Sequence, residues 1–154
     1  MTLSGCGVGA GADGGRTRAC RADPSCLPDT SATTPTGAAR DAETVPFIVV
    51  PLPRNGVDDR RAGLQQGSVT MVLYRGRMAY AVFGDEGPGG IIGEGSYALA
   101  SALGINPDPS VGGVDASVTF VLFIGGASVV MRNEDHAEAV RIGTERATQP
   151  LLSN

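Results

Sequence analysis

Apolar positions in this chain cluster into short runs with strand-like or helix-like periods, separated by stretches rich in glycine and proline. Val45–Pro53 (VPFIVVPLP) is β-branched and bounded by prolines, which predicts a strand at an edge or a strand end. Gly67–Tyr74 (GSVTMVLY) and Arg77–Phe83 (RMAYAVF) predict two more strands, joined through Arg75-Gly76 as a tight hairpin. In the first of these, Val69, Met71 and Leu73 share one face, and Thr70, Val72 and Tyr74 share the other. Both faces are mostly apolar, so the hairpin is expected to be buried on both sides, as in a small closed barrel or sandwich.

Gly84–Gly93 reads as a glycine-rich loop. Gly95–Leu103 changes to a helical period, with Leu99, Ala102 and Leu103 on one stripe and Gly104 as the stop. Ile105–Asp115, with Pro107 and Pro109, is a second turn-rich loop. Val118–Phe123 predicts a strand, and Gly125-Gly126 turns the chain into a further short strand at Ser128–Met131. Asn133 is placed to cap a helix running to about Ala147, with Glu134 and Asp135 in its first turn, where the helix dipole favours anions. The order is β, β-hairpin, α, β, β, α, with no parallel βαβ alternation. The fold class expected is mainly β with flanking helices, arranged as a small β-barrel with the helices packed outside. Residues 1–38 show no period and read as an irregular arm, part of it expected to be disordered; 39–150 form the folded domain.

Composition narrows the class. At 154 residues, 42% hydrophobic and 18% charged, the chain is one globular domain rather than a disordered segment. Its 23 glycines favour a loop-rich β fold over a helical bundle. A net charge of −4 argues against nucleic acid as a partner and suits a neutral or cationic one. No run approaches the roughly 20 apolar residues of a membrane span, so no membrane partner is expected. The N-terminus has neither a basic n-region nor an apolar core, and no signal peptide is visible. Cys6, Cys20 and Cys26 are an odd set, which argues against a complete disulfide framework, although Cys20 and Cys26 are close enough to form a small loop in an exported protein. The sole histidine, His136, falls in the terminal helix, so neither a zinc site nor a serine triad is expected, and no metal or other cofactor.

The residues with chemistry to offer are Asp85 and Glu94, in AVFGDEGPGGIIGEGSYAL. Two acids on rigid elements around an open loop are what glycosidic cleavage requires: one protonates the leaving oxygen, the other activates water or attacks the sugar. Ile91-Ile92 would desolvate Glu94 and raise its pKa, whereas a helix N-terminus would lower it; the sequence leaves this open. The plainer alternative is that Asp85 makes a loop hydrogen bond and Glu94 merely begins a helix. Glu86 is the rival of Asp85, but neighbours on an extended backbone point to opposite sides, so one of the two at most faces Glu94. The glycines fit neither GxGxxG nor GK[ST] and are expected to let a polymer approach the backbone. Ser96 and Asp115 are further candidates at the substrate, Asp115 with turn capping as its alternative. With three tyrosines and no tryptophan, sugar-stacking platforms are sparse, and Tyr74, Tyr80 and Tyr97 read mostly as core.

AYAVFGDEGPGGIIGEGSYALASALGINPDP resembles the central motif of the glycoside hydrolase family 75 chitosanases. DAETVPFIVVP resembles the family's first strand, GGVDASVTFVLF a later strand, and DHAEAVRIGTERA its closing helix, so the resemblance spans about Ala39–Ala147. It implies an endo-acting, inverting hydrolase of the β-1,4 links of chitosan on a six-stranded, double-psi-like β-barrel. Asp85 would be the general base and Glu94 the general acid, with Glu86, Ser96 and Asp115 contacting substrate. Inversion requires carboxyls about 6.5–9.5 Å apart, leaving room for the attacking water. Chitosan is a polycation in mild acid, and Asp85, Glu86, Glu94, Asp108 and Asp115 along one rim would attract it. A monomer, secreted as the family usually is, is expected. Two other readings stay open. One is a non-catalytic barrel-type carbohydrate-binding module. The other is a hydrolase of a different β-linked polysaccharide, because a fold does not fix a substrate.

Overall fold

The computed structural model describes residues 30–38, 40–53, 59–87, 92–108, 111–132 and 134–149. The three cysteines, Asn133 and the middle of the expected Gly84–Gly93 loop lie outside them. Among the described residues five strands form one mixed sheet: β1 (Phe47–Pro51), β2 (Val69–Tyr74), β3 (Arg77–Gly87), β4 (Glu94–Gly95) and β5 (Thr119–Leu122). Their order across the sheet is β4-β1-β3-β2-β5. The β2–β3 hairpin closes from Val69↔Val82 to Tyr74↔Arg77. Its turn places Arg75 at φ 45° and Gly76 at φ 77°, the left-handed pair that matches the twist of a two-residue hairpin.

Both faces of the sheet are covered, as the two apolar faces of the hairpin demand. Helix α1 (Tyr97–Leu103) packs Leu99, Ala100 and Leu103 onto Ile48, Val72 and Phe83. Helix α2 (His136–Thr148) packs Ala139 and Ile142 onto Phe47, Val69 and Val82 on the opposite side. Each fully buried Phe or Leu contributes about 1.5–3 kcal/mol. Gly143 lets α2 come close to the sheet, because a Cβ there would collide with the Tyr80 ring. α1 ends where expected, at Gly104 in the left-handed conformation (φ 69°).

Several expectations need correcting. The stripe of α1 contains Ala100 rather than Ala102, which is exposed. β3 runs on through Asp85 and Glu86 to Gly87, where a loop was expected. Ser128–Met131 is not a strand: Gly126–Ser128 is a short 3-10 turn, and Val129 makes only an isolated bridge to Ser68. Helix α2 is capped by Asp135, whose carboxylate accepts the Glu138 amide at 2.9 Å. β1 and β3 are parallel, although no βαβ unit links them. Among the described residues the sheet has five strands and is not closed, so the six-stranded barrel expected is not confirmed. Among the described residues β4 and β5 are unpaired edges, although the sheet curls enough that β1 and β5 line one apolar cavity of about 370 Å³ on the α1 face, with Leu64 and Ile92.

Candidate functional site

The site is built on a break in the alternation of β3. Up to Phe83 the strand alternates normally, with Tyr80 and Val82 in the α2-face core and Ala81 and Phe83 in the α1-face core. The register with β1 then jumps: Ile48 pairs with Phe83, but Val49 pairs with Asp85. Gly84 is the extra residue of a β-bulge. In unbroken alternation Asp85 would follow Phe83 onto the α1 face. The bulge instead sets it opposite Val49, on the α2 face. Only glycine fits at the bulge, because a Cβ on Gly84 would collide with Phe47 and with the Arg40 guanidinium.

Glu94 reaches the same face from the other side of β1. β4 runs antiparallel to β1 and pairs Glu94 with Val49 and Gly95 with Ile48. The two acids therefore flank a single valine. A Cβ on Gly87 would lie 2.6 Å from Glu94 Oε2 and 2.8 Å from Val49 Cγ1, so the Glu94 carboxyl extends across Val49 towards β3. Gly87 and Asp85 are same-face neighbours on β3, about 7 Å apart.

Both acids are buried, Asp85 at 5% and Glu94 at 3% exposure. Asp85 Oδ1 accepts the Ser31 and Glu86 amides, each at 2.8 Å. Burial pushes the Asp85 carboxyl above its ordinary value of 3.8, while those two amides, the Ser31 side chain and the Arg40 charge pull it back down. Arg40 is itself fully buried, and desolvation lowers its pKa to about 10 against the opposing fields of Asp85 and Glu134.

The other sequence candidates lie elsewhere. Glu86 pairs with Val50 in register, faces the α1 side and is salt-bridged to Arg60, so it and Asp85 do point apart. Ser96 is turned inward. It is fully buried, and its Oγ caps α1 by accepting the Leu99 amide at 3.1 Å while also accepting the Phe47 amide at 3.0 Å. Asp115 is exposed, in a bend beside Ala116, which lines the cavity on the α1 face. Of the five acids, Asp85 and Glu94 share the α2 face, Glu86 looks the other way, and Asp108 and Asp115 belong to the connection between α1 and β5. Tyr74 and Tyr80 are core residues, as expected. Ser31 and Arg40 are not among the residues the sequence points to, and Gly87 is one of the glycines expected to let a polymer approach the backbone. A lone glycine within a strand pattern is a bulge signal, and Gly84 before Asp85 was that signal; nothing local marks Ser31 or Arg40.

Comparison with known proteins brings these elements into one frame. Residues 8–147 match the sequence profile of the fungal chitosanases of glycosyl hydrolase group 75. Endo-chitosanase C of Aspergillus oryzae is 31% identical over 96 residues, which make up 60% of this chain and 25% of that protein. The matched stretch is therefore about a quarter of that relative's length.

Proposed function

This chain belongs to the fungal chitosanase family of glycosyl hydrolase group 75, and from that membership we propose that it is an endo-acting chitosanase that cleaves β-1,4 links with inversion. The observation that supports this reading is the register of Asp85 and Glu94 with Val49, which puts two carboxyls on one face across one strand. Asp85 is the general base. Two amides and a neighbouring guanidinium favour its ionised form, while burial makes that carboxylate a stronger proton acceptor. Glu94 is the general acid. Water attacks the anomeric carbon and gives its proton to Asp85. The bond to the leaving oxygen breaks, and that oxygen takes the Glu94 proton. Inversion needs the two carboxyls about 6.5–9.5 Å apart, with room for the attacking water between them. The catalytic unit is 39–150, with Ser31 of the preceding arm donating to the base. No cofactor takes part, and the enzyme acts as a secreted monomer on a polycation that its net charge of −4 attracts.

Digestion of soluble chitosan, with product masses and anomeric configuration followed in time, tests this. α-Anomeric oligomers as first products support it; β-anomers or no new reducing ends refute it. The burial of both carboxyls favours a second reading, a module that holds carbohydrate without cleaving it. Saturable chitosan binding with no new reducing ends would establish that reading instead.

A further inference from the structure

The least expected group on the α2 face is Arg40. It is 0% exposed, yet among the described residues its side chain makes one hydrogen bond, from Nη1 to the Phe83 carbonyl at 3.3 Å, and its Nε and Nη2 have no partner. Burying a guanidinium with two unsatisfied nitrogens opposes folding. Two further observations bear on why this chain carries it. Gly84 lacks the side chain that would collide with the guanidinium, so the bulge that turns Asp85 towards Glu94 also makes room for Arg40. The carbonyl that Nη1 holds belongs to Phe83, the residue immediately before that bulge. The backbone of the same segment reaches the acid as well: the Arg40 amide donates to Thr30 Oγ1 at 3.1 Å, and the adjacent Ser31 amide donates to Asp85 Oδ1.

We propose that Arg40 is a positioning residue for Asp85, which supplies the buried positive charge that compensates the carboxylate and clamps the bulge that aims it at Glu94. This rests on the assignment of Asp85 as the base. The charged groups concerned are few. Glu94 stands across Val49, Glu134 acts on Arg40, Glu86 is turned away against Arg60, and α2 presents Ala139, Ile142 and Gly143 inward with His136 exposed. Asp85 and Arg40 thus compensate one another. An apolar residue at position 40 would leave the carboxylate buried with its two amides alone, and its protonated form would gain.

The test compares the full chain with Arg40→Met and Arg40→Lys. Rates on soluble chitosan are measured across the acidic to neutral range, and the Asp85 carboxyl is titrated by ¹³C NMR. In Arg40→Met, kcat should fall about 100-fold, with KM little changed and the acidic limb of the profile moved to higher pH. Arg40→Lys should recover part of the rate, and the Asp85 midpoint should rise in the order wild type, Lys, Met. Superimposable profiles and midpoints overturn the proposal. Should Arg40→Met fail to fold, the Lys variant decides. Should neither fold, the wild-type titration decides, since an Asp85 protonated at the pH of maximal rate overturns it. A wild-type chain that binds chitosan without cleaving it defeats the assigned activity, while the Asp85 midpoints still judge Arg40.

Discussion

Asp85 and Glu94 stand in register with the same residue, Val49, from the strands on either side of it. Eight residues of chain lie between them, but the link that sets their geometry is one strand of a buried sheet. The pairing of β1 with both partners, more than the glycine-rich stretch between them, therefore governs how far apart the carboxyls lie.

Removing either acid's proton chemistry should abolish turnover without unfolding the protein. Asp85→Asn and Glu94→Gln keep volume and shape, and each should lower kcat by about 10²–10⁴-fold, with circular dichroism unchanged. A variant that digests soluble chitosan at the wild-type rate would remove that residue from the mechanism.

Gly87→Ala tests the geometry rather than the chemistry. The added methyl would meet Glu94 Oε2 and Val49 Cγ1, and of the two the carboxylate stands at the end of the longer, more flexible side chain. Misplacing a catalytic group by about 1 Å is worth roughly 100-fold in rate, so kcat should drop by that order while the melting temperature changes far less than in a core-cavity variant. Kinetics together with calorimetry on one preparation separates the two effects.

The raised carboxyl of Asp85 predicts a sign for the pH dependence of stability. Its folded-state pKa lies above the ordinary 3.8, so between the two values the native state holds more protons than the unfolded chain. Its contribution is fully present below about 3.8 and is lost as pH rises through the folded value. Urea unfolding of wild type and Asp85→Asn at a series of pH values isolates the effect. Wild type should lose stability relative to the variant as pH rises from the acid side, and a difference that is flat or slopes the other way contradicts the assigned shift.

Ser96 should matter to folding and little to substrate. Ser96→Ala removes a helix cap worth about 1 kcal/mol and leaves the buried Phe47 amide without its acceptor, a further 1–3 kcal/mol or so. A lowered urea midpoint with KM unchanged is expected; a large rise in KM would return Ser96 to the substrate.

The positions of β1, the β2–β3 hairpin and α1 were legible in the chain because their causes are local. Two-residue alternation, the Arg75-Gly76 turn and the Gly104 stop act within a few residues. Local pattern also suggested two acids with a plausible division of labour and showed that Glu86 and Asp85 diverge. What it did not contain was the partner of each strand. Ser128–Met131 has strand-like residues but joins the sheet through one bridge, whereas Glu94-Gly95, two residues long, becomes a strand because β1 offers an open edge.

The sequence by itself determined which segments are extended or helical, which faces are apolar and which acids are available, since periodicity and turn chemistry are properties of neighbours. Only the tertiary structure decided the order of the strands in the sheet, that a bulge at Gly84 turns Asp85 to the face of Glu94, and that Arg40 is buried behind them. Register between strands and the compensation of buried charge are settled by residues far apart in the chain. A one-residue slip in register exchanges the two faces of a strand, and no short stretch of sequence records which register the rest of the molecule selects.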